Sequence, residues 1–241
     1  MNVLHQKTYH INGADEQLVI SLPYAETRIL IIPPLFDEMN RMRRFICQFM
    51  TSSISFQLGS TVLDLPGCNE SLQLLANQDL EIWQQAVAVA ATRFQATHIL
   101  SFRGGTLIDH VPNLPIFRVA PCKGRSLLST LMRTEIITQK EMGNIVNSDH
   151  YFAQSKLGPI CLAGNMLGTN MVNALQNAQP HNAPHVHTIK IGNGDNMISG
   201  SALWLRAEPG EDEHMANMLA AHIAANLHNE NFTSAGAEND G

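Results

Sequence analysis

Apolar and polar positions alternate along residues 7–11 and again along 17–22. Asn12-Gly13 between them supplies turn chemistry, so the chain is expected to open with an antiparallel hairpin. Residues 28–32 form a short, nearly all-apolar run of the kind buried inside a parallel sheet. Pro33-Pro34 ends it, because neither residue can donate to a strand ladder. Met42, Phe45, Ile46 and Phe49 then recur at helical spacing behind Asn40, a candidate cap, while Arg41, Arg43 and Arg44 alternate with that stripe and face water. Strand character returns at 61–65 and stops at Pro66-Gly67. Between residues 79 and 94, Leu80, Trp83, Val87, Ala90 and Phe94 fall three and four apart, the mark of one buried helix side.

The remaining chain repeats this alternation. Strands are expected at 97–102, 115–119, 159–163, 186–191 and 202–206, and helices at 124–140, 169–177 and 211–227. In the last helix Glu211, Asp212 and Glu213 suit the positive helix end, and Met215, Leu219, Ile223 and Leu227 supply the buried side. Residues 141–156 have weak periodicity and are expected to form a loop or partly helical excursion that can cover a pocket. Residues 228–241 are polar and rich in small side chains, a tail expected to be disordered. The pattern predicts one α/β domain over 1–227, with a mostly parallel sheet covered on both faces. Its ligand site is expected beyond the carboxyl ends of the parallel strands.

Composition narrows the function classes. Apolar residues are 44% of the 241 and charged residues 15%, which excludes a disordered chain and a coiled coil. Fifteen basic residues against 21 acidic ones give a net charge of −6. Without a basic excess to displace counterions, no nucleic-acid partner is expected. No apolar run approaches the ~18 residues of a membrane span, so no integral membrane segment is expected. The polar N-terminal residues 1–12 lack the apolar stretch of a signal peptide; a cytoplasmic location follows, with membrane-peripheral association left open. Cys47, Cys68, Cys122 and Cys161 form no CxxC pair, against a structural zinc site or a redox pair. His181, His185 and His187 read as a polar lead-in to a strand, and no metal is expected. The glycines around Gly192 lack a Walker-type lysine, and no cofactor is expected.

Three passages carry a family resemblance. Residues 30–44, LIIPPLFDEMNRMRR, resemble a strand followed by His-Pro-Phe and Glu-Glu-Met-Asn-Lys-Ser-Arg-Arg, with Pro33 at the His-like position. Residues 64–71, DLPGCNES, resemble an Asp-x-x-Gly-x-Gly-x-Ser loop in which Asn69 replaces the second glycine. Residues 101–105, SFRGG, stand where Gly-x-Ser-x-Gly is expected, with Arg103 at the nucleophile position. Together they make the chain similar to α/β-hydrolases, and most similar to the exosortase A system-associated hydrolase family, second type. The resemblance spans roughly residues 25–225. It implies an α/β-hydrolase-like sheet and a setting in the bacterial exosortase (PEP-CTERM) and exopolysaccharide system.

Arg103 has no accessible lone pair and stays protonated, so it cannot replace a serine nucleophile. Gly104 and Gly105 preserve the close approach that such a turn needs. If the turn enters a helix, Arg103 sits beside the positive end of the dipole and requires compensation. Asp37, Glu38, Asp64 and Glu70 lie in loops expected to converge there, which leaves two readings: a structural ion pair, or a site for a small anionic ligand made with Leu35 and the glycine backbone. Either reading gives a degenerate hydrolase-like protein with an accessory or ligand-binding role. An alternative is an active hydrolase of an ester, thioester or amide. In it Cys68 or Cys122 attacks the acyl substrate, His214 serves as base and Asp195 orients it, with backbone N–H groups near Leu35 and Gly104 as oxyanion donors. Ser101, two residues before the apex, is a weaker candidate nucleophile. A third reading is a protein partner docking on the Arg41–Arg44 ridge.

Overall fold

Asn12 and Gly13 both lie at positive φ, 51° and 78°, so a two-residue turn sets Ile11 directly opposite Ala14. This hairpin begins the computed structural model, which describes residues 5–22, 25–195 and 197–235. The strands in chain order are β1 (His5–Ile11), β2 (Ala14–Ser21), β3 (Arg28–Ile32), β4 (Gly59–Leu63), β5 (His98–Phe102), β6 (Ile116–Val119), β7 (Ile160–Leu162), β8 (Asn165–Leu167) and β9 (Val186–Ile189). The helices are α1 (Asp37–Ile54), α2 (Leu80–Phe94), α3 (Gly124–Glu141), α4 (Ser148–Ser155), α5 (Thr169–Asn177) and α6 (Glu213–Ala235).

Seven strands form one sheet in the order β1-β2-β4-β3-β5-β6-β9. β1 and β2 are antiparallel, β2 meets β4 antiparallel, and every pairing from β4 onward is parallel. Alternation along β3 sends Leu30 and Ile32 into a core with Trp83, Leu128 and Leu175, contributed by α2, α3 and α5. Ile29 and Ile31 point the other way, against Phe45, Phe49 and Leu219 of α1 and α6. Helices therefore cover both faces, as expected. Asp79 caps α2 through the Ile82 amide, and Trp83 satisfies its buried N–H on the Pro66 carbonyl at 2.9 Å.

Several elements differ from the expectations. α1 starts at Asp37, so Asn40 is an exposed residue inside the helix and not its cap. The entry is made by Phe36 at φ 57°, and Asp37 and Glu38 complement the positive helix end. Residues 202–206 are not a strand: Leu203–Leu205 is a 3-10 turn in which adjacent Leu203 and Trp204 are both buried, incompatible with strand alternation. Within 141–156, Asn147 caps the short helix α4. Residues 159–163 do contain a strand, but it pairs outside the main sheet, with β8. The last helix runs to Ala235, past Leu227 and into the segment expected to be a tail; residues 236–241 lie outside the described residues.

Candidate functional site

The turn after β5 is built by close approach. A Cβ on Gly105 would fall 2.4 Å from the Pro33 carbonyl and 2.9 Å from that of Ile32, so only glycine lets the turn press against the end of β3. A Cβ on Gly104 would meet Leu127 Cδ2 at 2.9 Å and Leu35 Cγ at 3.1 Å. Arg103 itself sits at φ 50°, a left-handed conformation that costs a non-glycine residue roughly 1–2 kcal/mol. The following segment, Arg103–Leu107, is a 3-10 turn and not an α-helix. The dipole repulsion expected for Arg103 from a following helix is therefore absent.

Arg103 is held on every side. Its Nε and Nη2 donate to Glu38 Oε2 and Oε1 at 3.0 and 3.1 Å, and Nη1 donates to the Ala120 carbonyl at 3.2 Å. The guanidinium lies 4.8 Å from the Trp204 ring centroid, a cation–π contact. Glu38 comes from the first turn of α1, where the helix end favours its charge. The other acids expected nearby are engaged elsewhere or face outward. Asp37 Oδ1 accepts from Asn165 of β8 at 3.0 Å, Asp64 Oδ1 accepts from Asn69 at 2.6 Å, and Glu70 is exposed. Burial raises the Asp64 carboxyl above its ordinary range, partly offset by the Asn69 hydrogen bond and the nearby charge of Arg43.

Ser101 is fully buried and donates to Asp109 Oδ2 at 2.6 Å. Arg118 closes the same buried group, with Nε and Nη2 at 2.8 and 2.7 Å from the two Asp109 oxygens. This hydroxyl is buried away from the apex, and its acceptor is a carboxylate already neutralised by Arg118, a poor base. Neither Asp109 nor Arg118 was expected here, although a charge inside the strand Ile116-Phe117-Arg118-Val119 signals a buried partner.

The two candidate thiols lack activation. Burial, then the charges of Asp64 and Glu16, push the Cys68 thiol up to about 12. Burial pushes Cys122 up to about 11; Arg103 lowers it and Glu38 raises it. Among the described residues, no hydrogen bond joins either thiol to a histidine. Asp195 and His214 are both exposed, and no hydrogen bond or ion pair links them. The structure thus brings Leu35, Glu38, Gly104 and Gly105 to Arg103, but assembles no nucleophile, base and acid from the residues proposed for them.

The arginine ridge is partly tied down. Arg41 Nη1 donates to the Trp204 carbonyl at 3.1 Å, and Arg44 bridges to Glu211 at 2.6 Å. The histidines 181, 185 and 187 have different surroundings: His181 packs tilted against His110, His187 stacks on Phe117, and His185 is exposed. Among the described residues, no group of three or more His, Cys, Asp or Glu side chains is placed to hold a metal. No helix there is long and apolar enough to cross a membrane. The β7–β8 hairpin lies against the start of α1 and against α3. Asn165 holds it to Asp37, and Glu135 Oε2 accepts from the Ala163 amide at 3.1 Å.

A mostly parallel seven-stranded sheet with helices on both faces and an antiparallel N-terminal hairpin gives the chain an α/β-hydrolase-like fold. Solved structures share the architecture along nearly the whole chain. Mouse alpha/beta hydrolase domain-containing protein 10 superposes with a TM-score of 0.56 at 11% identity, over 93% of this chain and 99% of that one. Est1E from Butyrivibrio proteoclasticus, solved with ferulic acid bound, gives 0.56 at 10% identity, over 92% and 98%. At such identities the likeness is one of fold alone. No family model and no curated protein matches the sequence.

Proposed function

We infer that this α/β-hydrolase-like protein does not work by serine hydrolase chemistry, and that it serves as an accessory or ligand-binding protein. The observation that carries this reading is Arg103 at the apex of the turn after β5, at φ 50° and clamped on Glu38. The turn has the positive φ at its apex and the close-packed glycines after it that a nucleophile elbow needs, while its apex holds a side chain that cannot attack a carbonyl. An anion reaching Arg103 has to displace Glu38, so a structural ion pair is the favoured role for this arginine. The proposed setting in a bacterial exosortase and exopolysaccharide system rests on the sequence motifs alone, and a cytoplasmic location on the polar residues 1–12.

Turnover of a panel of short-chain esters, thioesters and anilides tests the reading. Rates equal to a matched protein-free blank are expected. Reproducible turnover abolished by Cys68→Ala or Cys122→Ala overturns it in favour of a relocated thiol nucleophile.

A further inference from the structure

Two sequence motifs meet at a groove that the Arg103 turn does not reach. α1 contributes Met39, Arg43 and Ile46 from the arginine-rich segment, and the loop after β4 contributes Asp64, Asn69 and Glu70. The face of β2 and β4 lines it as well, with Val19 and Val62, paired across the two strands, only half-buried. The cavity measures about 420 Å³, within the range of small-molecule pockets.

Charges of both signs line it and are left unspent. Arg41 and Arg44 have partners on the segment leading into α6, whereas Arg43, exposed beside them, makes no hydrogen bond or ion pair among the described residues. Asp64 gives one oxygen to Asn69, and its second has no partner among the described residues; Glu70 is also unpaired there. Arg43 is near enough for its field to act on Asp64, yet no ion pair joins them. A simple anion at Arg43 meets the two carboxylates that line the same groove, and a simple cation at the carboxylates meets Arg43. A molecule carrying both charges satisfies both signs, and an aliphatic body covers the two valines.

We propose that this groove binds a small aliphatic amino acid, its carboxylate on Arg43 and its ammonium between Asp64 and Glu70. Arg103 does not line the groove, so this site stands or falls independently of the reading of the turn.

The test uses L-leucine and two analogues that each lack one charge, 4-methylpentanoate and 3-methylbutylamine. Binding to the full chain is followed by methyl NMR. Leucine is expected to shift the methyl signals of Val19 and Val62 and to leave those of Leu127, beside Gly104, in place. Each analogue, and leucine with Arg43→Gln or Asp64→Asn, is expected to bind at least about tenfold more weakly, the loss of one charge-assisted contact. Both substitutions change a side chain that faces the groove, and unshifted methyl signals elsewhere report that the fold is retained. Unmoved Val19 and Val62 signals at millimolar leucine overturn the proposal. So does equal binding by the single-charge analogues or by both variants.

Discussion

Arg103 and Glu38 meet as a two-pronged ion pair across the top of the sheet, Nε to Oε2 at 3.0 Å and Nη2 to Oε1 at 3.1 Å. Their side chains are 20% and 9% exposed, so losing one partner strands the other away from most water. Arg103→Ala or Glu38→Ala is expected to cost about 2–4 kcal/mol, less than for a fully buried pair. The double variant should lose clearly less than the sum of the two. Urea unfolding of the four proteins measures this coupling.

A hydroxyl at the apex is not expected to confer ester turnover. Arg103→Ser puts an oxygen at the apex, but the contacts there are Glu38, the Ala120 carbonyl and the Trp204 ring, not an imidazole. No ester turnover above blank is expected from this variant. Its unfolding midpoint should fall as in Arg103→Ala, because Glu38 is left unpaired in both.

Thiol reactivity separates into two classes. Cys47 and Cys161 are exposed, while burial holds Cys68 and Cys122 protonated, with pKa values pushed up to about 12 and about 11. With a disulfide reagent at pH 8, Cys47 and Cys161 should react fast and the other two only slowly, until denaturant is added. The sign for stability follows from linkage. An unfolded chain releases these protons near 9.0 and the folded one later. The folded state therefore binds more protons in that window, and stability declines as pH rises from about 9 toward 11–12.

Ser101, Asp109 and Arg118 form one buried polar unit. Asp109→Ala or Arg118→Ala is expected to cost about 3–5 kcal/mol, since each leaves a buried charge without its partner. Ser101→Ala removes one hydrogen bond and should cost about 1–2 kcal/mol. Denaturant unfolding checks the ranking.

Local rules made much of the fold legible. Asn12-Gly13 forced the hairpin turn, and the spacing of Leu80, Trp83, Val87 and Phe94 placed α2 within a residue of its start. Errors arose where tertiary contacts override local pattern. Leu203 and Trp204 looked like strand residues, but Trp204 turns to cover Arg103 and offers its carbonyl to Arg41. Asn40 looked like a cap, yet the unusual Phe36 backbone starts the helix earlier. At the site, the motif placed Arg103, Gly104, Gly105 and Glu38 in one neighbourhood. Which acid would take the arginine was not legible, because Asp37, Glu38, Asp64 and Glu70 all follow strand ends in the sequence and only packing distributes their partners. Asp109 was missed because nothing adjacent to it in sequence marks its partner, Arg118.

Intact-mass analysis after exposure to a fluorophosphonate and to an activated thioester acyl donor tests the lost-nucleophile account most directly. The expected result is an unmodified protein, apart from slow, denaturation-insensitive labelling of the exposed cysteines by the acyl donor. A stoichiometric adduct on Ser101, Cys68 or Cys122 that forms only on the folded chain would contradict it.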